Sequence, residues 1–370
     1  MSEIARIIHV TDMHLLVDRQ GYPRPAKECA MLVRVAIWLA GQRWGMSGIQ
    51  KILEGLYAHS RPALRALIAT LHDLAQTNRP CTLAVVQTGD VEAYGGTEIP
   101  NQPFPLVWQF PSFDYWQTQC RNLSSKLDLI VNIYGNHDVW PCTLPVLRPW
   151  TCSSVERSIR QRSEFTGPLP DCTVLQSGKF TLEFYRLNTI QSQFLRNTFA
   201  DGNISTDSGK DLSYELSAIA NRLSKNNPNR NVIRLIVMHH PPHAFTSAGT
   251  QCDLHEGTLT NVNVLTSGLN SQRFHFVLAG HRHAINPKPG TGPWWWQPPL
   301  PTATVQLTAG SATQFTPAGH ERPSFNVYFL FGDERQRVLS VDRAVYRFRS
   351  DLDTQFTLDG NETVINQLRL

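Results

Sequence analysis

The stretch LDLIVNIYGNHDVW, residues 127–140, joins an apolar run to three polar side chains. The run is rich in Ile, Val and Tyr, as is typical of a buried strand, and it stops at Gly135. Asn136, His137 and Asp138 follow at once. An amide, an imidazole and a carboxylate at the end of one strand indicate a site for metal binding or proton transfer.

Further strand-like runs are spread along the chain, and two clear helical stretches lie between them. The helical stretches are SRPALRALIATLHDLAQ at 60–76, where Ser60 can cap the helix, and DLSYELSAIANRLSK at 211–225. This alternation of strands and helices predicts an α/β protein. The other strand-like runs are IARIIHVT (4–11), TLAVVQT (82–88), FTLEFYRLN (180–188), NVIRLIVM (231–238), RFHFVLA (273–279) and TVQLTA (304–309).

The length of 370 residues and an apolar content of 41% suit a large globular domain with a proper core. For the consecutive tryptophans Trp294, Trp295 and Trp296 we expect a loop that docks its indoles onto the body. An aromatic wall facing the substrate and a partner site stay open as alternatives. The predicted organisation is a single domain over 1–370 with a helical insertion at about 18–80, a Pro-rich loop at about 94–112 and a C-terminal β-hairpin at about 324–349.

Charge and cysteine usage narrow the class of protein. The net charge of +4 is spread along the chain, unlike the clustered Lys and Arg of proteins that bind nucleic acid. Arg343, Arg347 and Arg349 of the last hairpin are expected to form a solvated face. Seven cysteines without a CxxC pair predict reduced thiols and a cytoplasmic location.

Targeting and membrane segments are not expected from the sequence. The N-terminus runs directly into an apolar strand-like segment with no small-residue cleavage site. The longest apolar candidate, residues 30–41, contains Arg34 and is far shorter than the roughly 20 residues that a bilayer requires. We therefore expect neither a signal peptide nor a membrane span.

Polar side chains follow five of the strand-like runs at the point where each run ends. Because the carboxyl ends of strands in an open α/β sheet meet at one edge, these side chains are expected to converge. Shuffling the chain would give about 0.6 matches to DxH, but only about 0.03 to GHxH and 0.002 to GNHD, so the last two motifs are informative. The motifs are TDMH (11–14), TGD (88–90), GNHD (135–138), HHPPH (239–243) and GHRH (280–283).

The chemistry of this set favours divalent metal ions. Imidazoles, carboxylates and an amide oxygen, without a thiolate, suit Mn, Fe, Zn or a similar ion. Two such ions about 3.5–4 Å apart can hold a bridging hydroxide and clamp phosphoryl oxygens during in-line displacement. One carboxylate must then lie between both ions, and Asp90, on a turn preceded by Gly89, is the best candidate.

The order DxH, GD, GNHD, HHPP, GHxH resembles the calcineurin-like metallophosphoesterases. The resemblance covers residues 7 to about 283 and, more loosely, TAGSATQ (308–314) and SFNVYFL (324–330). It implies an αββα sandwich of two mixed β-sheets flanked by helices, with a dinuclear metal site along one edge. The ligands that the resemblance implies are Asp12, His14, Asp90 and His283 for one ion, and Asp90, Asn136, His239 and His281 for the other.

The catalytic pair that this resemblance suggests is His137 and Asp138. His137 is expected to protonate or stabilise the leaving oxygen, and Asp138 to fix the tautomer of His137. For His240 and His243, a contact with the substrate or support of a ligand competes with an ordinary loop position. His9, inside the first strand, is expected to be a core imidazole.

The function that follows is hydrolysis of a phosphate ester, with a nucleotide or cyclic-nucleotide phosphodiester favoured because TDMHL and the GNHD and HHPP pairing look most like that branch. The alternatives are a nuclease or phosphomonoesterase of the same family and a scaffold that has lost catalysis. Nucleic acid is not the favoured partner, since no Lys/Arg-rich channel is evident. The sequence leaves the native metals, the exact substrate and the oligomeric state undetermined.

Overall fold

A computed structural model describes residues 1–15, 17, 20–21, 60–77, 81–92, 97–98, 108–123, 125–139, 148–162, 167–190, 202–226, 231–242, 259–281, 295–296, 304–313, 322–350 and 352–370. Of the predicted positions, His243, His283 and Trp294 lie outside the described residues. So do most of the expected insertion at 18–80 and most of the Pro-rich loop at 94–112.

The described elements follow the predicted alternation of strands and helices. The strands are β1 Ser2–Val10, β2 Thr82–Thr88, β3 Thr97–Glu98, β4 Trp108–Gln109, β5 Leu129–Ile133, β6 Asp171–Ser177, β7 Phe180–Arg186, β8 Asn231–Val237, β9 Phe276–Ala279, β10 Trp295–Trp296, β11 Thr304–Thr308, β12 Ser324–Asp333, β13 Val338–Arg347 and β14 Thr357–Arg369. The helices are α1 Arg61–Gln76, α2 Pro111–Asn122, α3 Asn136–Val139, α4 Arg148–Arg160, α5 Leu212–Asn226 and α6 Val262–Ser271.

The strands form two mixed sheets of six strands each. The first has the order β14-β13-β12-β1-β2-β5, and the second has the order β10-β11-β9-β8-β7-β6. In the first sheet β1, β2 and β5 are parallel, and in the second β7, β8, β9 and β11 are parallel. The parallel strands that carry the predicted motifs are therefore neighbours within each sheet.

The sheets pack face to face, with helices on their outer sides. Side chains alternate along β8: Ile233 and Leu235 join the core cluster that contains both sheets, whereas Ile236 lies in a second cluster with residues of α5 and α6. The amide of Asn326 in β12 donates to the carbonyl of Thr308 in β11 at 3.0 Å, which links the sheets directly. The layering confirms the expected αββα sandwich.

The first sheet continues further than the sequence indicated. The hairpin expected at about 324–349 corresponds to β12 and β13, but β14 adds another strand beside β13. Arg343 is opposite Glu362 of β14, is 2% exposed and forms an ion pair with it. The expectation that Arg343 is solvated is therefore wrong, because the strand that covers it has a polar sequence and was not predicted.

Three further observations bear on the sequence expectations. Trp295 and Trp296 form the short strand β10, which pairs with β11 at the edge of the second sheet, so this segment contributes backbone to the sheet. Cys81, Cys120 and Cys172 are free thiols. None of the helices in the described part of the chain is both long and apolar enough to cross a membrane.

Candidate metal centre

The carboxyl ends of five strands meet at one edge of the sandwich. The amide of Asp12, after β1, donates to the carbonyl of Gly89, after β2, at 3.1 Å, and the amide of Gly280, after β9, donates to His239, after β8, at 3.0 Å. The two sheets are joined here because the amide of His281 donates to Oδ2 of Asp12 at 2.8 Å. The structure therefore brings together the described members of all five motifs.

His239 lies at the centre of the ligand set predicted for the second ion. Its Nδ1 donates to the carbonyl of Thr88 at 2.8 Å, because a carbonyl can only accept. Its Nε2 lies 2.8 Å from Oδ1 of Asn136, 3.0 Å from Nδ1 of His281 and 3.2 Å from Oδ2 of Asp90. A histidine whose other nitrogen donates to a backbone carbonyl is held in the tautomer that metal ligands use.

The ligands predicted for the first ion lie on the other side of Asp90. Nε2 of His14 is 3.8 Å from Oδ1 of Asp12 and 3.8 Å from Oδ2 of Asp90. These residues are at most 2% exposed. The fourth predicted ligand, His283, lies outside the described residues.

Asp90 lies close to both predicted ligand sets. One of its oxygens, Oδ2, lies 3.2 Å from Nε2 of His239 and 3.8 Å from Nε2 of His14, which belong to different predicted ions. The other oxygen, Oδ1, accepts the amide of His137 at 2.8 Å, so the orientation of the carboxylate is fixed.

The spacing of the donor atoms around His239 fits a small divalent ion. Ligands bound at about 2.1 Å to one ion lie roughly 3 Å apart when they are neighbours in its shell, which matches the distances around Nε2 of His239. Two of the groups of side chains close enough to hold an ion share Asp90, namely Asp12 with Asp90 and His239, and His14 with Asp90 and His137. The hard-to-borderline character of these donors is the one expected from the sequence.

The backbone around the centre is strained where the ligands leave the strands. Asp12, His14, Asp90 and His281 have φ angles of 50°, 45°, 55° and 69°, in the left-handed region that side chains rarely adopt. Such conformations cost on the order of 1–3 kcal/mol each and persist where the surroundings enforce them. They cluster here on four of the predicted ligands, and clusters of such residues are typical of functional sites.

Two glycines allow the strand ends to approach one another. A Cβ at Gly135 would lie 2.1 Å from Oδ1 of Asp90, and a Cβ at Gly280 would lie 1.9 Å from Oγ1 of Thr11. Real Cβ atoms do not approach other atoms this closely. The glycines of GNHD and GHRH are therefore required by close packing against the ligands.

The charges of the centre depend on one another. Burial lowers the pKa of His239, but the carboxylate of Asp90 outweighs burial and raises it to about 9. Burial raises the pKa of Asp90, but His239, His137 and His14 bring it well below its usual value. Burial, and then the charge of Asp90, raises the pKa of Asp138. The carboxylate of Asp90, which favours the protonated form of His239, also favours a bound cation.

His137 lies beside the ligands of the first ion. Its ring contacts that of His14 edge to face, with 4.5 Å between the centroids. It is half-buried, whereas its neighbours Asn136 and Asp138 are fully buried, so His137 is the member of this strand end that solvent reaches. This position suits a group that meets the substrate.

Asp138 has a different set of contacts from the one expected. Its carboxylate accepts the amides of Gly135 at 2.7 Å, Glu92 at 2.7 Å and Asp90 at 2.9 Å. Within the described part of the chain, the hydrogen bonds of this carboxylate go only to backbone amides. Asp138 thus holds together the turns after β2 and β5, on which Asp90 and Asn136 lie.

His240 lies next to the second ligand set. It is 1% exposed, its ring contacts those of His239 and His281, and its Nδ1 is 2.9 Å from Oγ1 of Thr189. His9 is buried in the core and bonds Oγ1 of Thr88 at 2.9 Å, as expected for a core imidazole. His243 lies outside the described residues.

Several supporting residues were not found by sequence reasoning. Thr189 contacts His240, and Ser311 donates to the carbonyl of Asp12 at 2.5 Å. Gly202 packs against His240, since a Cβ there would lie 2.5 Å from the Cβ of His240. These residues have no metal-binding side chain, and their role follows from tertiary contacts. TAGSATQ, which contains Ser311, gave the only indication in the sequence.

A protein-family model matches most of the chain. The model of the family described as calcineurin-like phosphoesterase matches residues 5–284, which include all five motifs. A comparison with curated proteins found no match.

Comparison with solved structures found similar folds of low identity, among them the following three. Purple acid phosphatase PPD1 from yellow lupin (Lupinus luteus) is 11% identical, with a TM-score of 0.47, covering 99% of this chain and 54% of its own. A protein assigned as a 5'-nucleotidase from Staphylococcus aureus is 12% identical, with a TM-score of 0.41, covering 98% and 54%. Zinc-complexed Vps29 from Entamoeba histolytica is 10% identical, with a TM-score of 0.34, covering 97% and 99%.

The phosphatase and nucleotidase chains are much longer than this chain. The chain spans about half the length of the phosphatase and nucleotidase chains, 54% in each case. At such identities and TM-scores the likenesses support no statement about activity. The functional conclusion therefore depends on the family match and on the geometry of the centre.

Proposed function

This chain belongs to the calcineurin-like phosphoesterase family, and on that premise we propose that it is a metal-dependent phosphoesterase that prefers phosphodiesters of nucleotide type. The observation that carries the proposal is the position of Asp90 Oδ2, 3.2 Å from the His239 nitrogen and 3.8 Å from the His14 nitrogen. One carboxylate oxygen between two ligand sets is what a dinuclear centre needs.

The residues proposed to hold the ions form two sets that share Asp90. When bound, two divalent ions supply Lewis acidity to the phosphoryl oxygens and lower the pKa of the attacking water. Mn, Fe and Zn all suit these donors. The proposed sets are Asp12, His14, Asp90 and His283 for the first ion, and Asp90, Asn136, His239 and His281 for the second.

His137 is proposed to deliver a proton to the leaving oxygen. It is half-buried beside His14, and its backbone is held by the bond from its amide to Asp90 Oδ1. A partly exposed imidazole next to the first ligand set can reach a phosphate ester bound at the centre. Asp138 supports this step indirectly, because its carboxylate accepts hydrogen bonds from three backbone amides and so fixes the turn that carries His137.

The preference for diesters comes from the resemblance of TDMHL, GNHD and HHPP to the cyclic-nucleotide phosphodiesterase branch. Hydrolysis of bis-p-nitrophenyl phosphate, p-nitrophenyl phosphate, cyclic nucleotides and single-stranded DNA by the Mn²⁺-loaded protein tests this preference. We expect the diesters to be hydrolysed faster than the monoester. A higher kcat/KM for the monoester would contradict the diester assignment while leaving the phosphoesterase assignment intact.

The metal dependence is tested with a matched pair of variants. Asp90→Asn keeps the shape but removes the charge between the two ligand sets, so we expect loss of at least one Mn²⁺ per chain and of about 100-fold or more in kcat. Asp342→Asn, on β13, is the control and is expected to behave as wild type. Full metal content and activity in Asp90→Asn would refute the bridging role. DNA cleavage that collapses with salt would instead indicate a nuclease.

A further inference from the structure

The adjacent histidines His239 and His240 have hydrogen-bonding partners of different kinds. Nδ1 of His239 faces the carbonyl of Thr88, whereas Nδ1 of His240 faces the hydroxyl of Thr189. A carbonyl can only accept a hydrogen bond, but a hydroxyl can donate one. The position of the proton on each ring is therefore set by a different kind of partner, although the two residues are neighbours in the sequence.

The hydroxyl of Thr189 determines which nitrogen of His240 carries the proton. Thr189 is 1% exposed, and its Oγ1 also accepts the backbone amide of His240 at 3.3 Å. Among the described residues, Nδ1 of His240 is the one acceptor that this hydroxyl has for its own hydrogen. A buried hydroxyl that donates nothing is costly, so the hydroxyl donates to Nδ1. In the neutral ring the proton is then on Nε2.

This tautomer makes His240 a donor and prevents it from acting as a metal ligand through Nε2. His239 has the opposite arrangement, with its proton on Nδ1 and Nε2 directed at Asn136, Asp90 and His281. A ring nitrogen of His240 lies within 4.8 Å of ligand nitrogens of His239 and His281, so proximity alone would allow it to be a ligand. The hydrogen bond from Thr189 decides between the two roles.

The surroundings of His240 limit what its N–H can contact. The ring is 1% exposed and packs on His281, with 4.4 Å between their centroids. Gly202 packs closely against it, because a Cβ there would lie 2.5 Å from the Cβ and Cγ of His240. A ring with so little exposed surface is reached more readily by a small group bound at the centre, such as a phosphoryl oxygen, than by the organic part of a substrate.

We propose that His240 is a phosphate-binding residue, which donates from Nε2 to a phosphoryl oxygen on the side of the second ion, and that Thr189 is the positioning residue that sets its tautomer. This inference rests on the proposed function. It places an imidazole donor at each end of the centre, with His137 beside His14 and His240 beside His281.

The tautomer is tested without any activity measurement. Long-range ¹H–¹⁵N spectra of the zinc-loaded, ¹⁵N-histidine-labelled protein report which ring nitrogen carries the proton. We expect Nδ1 to be protonated in His239 and Nε2 to be protonated in His240. A His240 ring protonated at Nδ1 would overturn the inference even if the protein is an active phosphoesterase.

The role in phosphate binding is tested with variants of both residues. Thr189→Val and His240→Ala are each expected to weaken binding of inorganic phosphate to the Mn²⁺-loaded protein by about tenfold or more, because each loses a hydrogen bond to a charged group. Both variants are expected to keep two bound ions. Thr189→Ser keeps the hydroxyl and is expected to retain phosphate affinity within about twofold. Loss of an ion in His240→Ala would show that His240 is a ligand and overturn the inference.

The remaining outcomes separate this inference from the proposed function. If Thr189→Val binds phosphate as well as Thr189→Ser does, the inference fails, although hydrolysis by the wild type would still support the proposed function. Conversely, no hydrolysis by the wild type would refute the function. Gly202→Ala, which pushes against His240, is expected to weaken phosphate binding, whereas Gly360→Ala, which meets nothing within 4 Å, is the control.

Discussion

Substituting alanine for Gly135 tests whether close packing at the strand ends creates the metal centre. The added Cβ would lie 2.1 Å from Oδ1, 2.5 Å from the amide nitrogen and 2.8 Å from Cγ of Asp90. Since real Cβ atoms essentially never come within 3.0 Å, Oδ1 must move away by about 0.9 Å, the difference between 3.0 and 2.1 Å. The backbone amide of Asp90 cannot be avoided by rotating a side chain, so the turn itself has to shift.

The shift would affect both roles of Asp90. Its Oδ1 accepts the amide of His137 at 2.8 Å, and a displacement of this size breaks that bond. Its Oδ2 would leave the position between His14 and His239. Misplacement by about 1 Å costs on the order of 100-fold in rate, and overpacking costs about 1–3 kcal/mol in the free energy of unfolding.

The assay combines three measurements on Gly135→Ala. Mn²⁺ content by elemental analysis is expected to fall below two ions per chain, and kcat/KM on bis-p-nitrophenyl phosphate to fall by about 100-fold. Circular dichroism is expected to show a folded protein with a lowered melting temperature. The control is Gly360→Ala on β14, where a Cβ meets nothing within 4 Å. A Gly135→Ala protein with full metal content and full activity would refute the reasoning.

Three further predictions concern the metal, the proton donor and pH. Removing metal with a chelator should abolish hydrolysis of bis-p-nitrophenyl phosphate and adding Mn²⁺ should restore it; activity that survives dialysis against chelator would contradict a metal mechanism. His137→Ala should slow esters with poor leaving groups by about 10²–10⁴-fold but p-nitrophenyl esters much less, because a good leaving group needs little protonation; equal losses would indicate that His137 only orients. The pKa of His239 is raised from its ordinary 6.5 to about 9, so its contribution to the stability of the metal-free protein is fully present below pH 6.5 and lost as the pH rises through 9. Thermal unfolding from pH 6.5 to 10 should show this loss without metal and a smaller one with metal; a flat profile without metal would refute the pairing of His239 with Asp90.

The local parts of the fold could be read from the sequence. TLAVVQT is β2 with the predicted bounds, and the stretch at 60–76 is α1, whose predicted cap is present as a bond from the Ala63 amide to Ser60 Oγ at 3.2 Å. These features depend on side-chain periodicity and on caps within a few residues. The same holds for the motifs, because each one directly follows a strand.

Pairings between distant segments could not be read in this way. β14 has a polar and mostly exposed sequence, so its membership of the first sheet and the burial of Arg343 against Glu362 depend on a neighbour that periodicity does not reveal. From the sequence we expect Asp138 to fix the tautomer of His137, but its carboxylate accepts hydrogen bonds from backbone amides after β2 and after β5.

By itself, the sequence determined which side chains could form a metal centre, since residue type and position after a strand are local properties. Only the tertiary structure determined which atom of each side chain faces the centre. Oδ2 of Asp90 is close to both His14 and His239, Nδ1 of His239 is hydrogen-bonded to Thr88, and Nδ1 of His240 is hydrogen-bonded to Thr189. The reason is physical: the direction of the hydrogen bond at His239, for example, is set by a partner 151 residues away along the chain, which only the packing of the two sheets brings within reach.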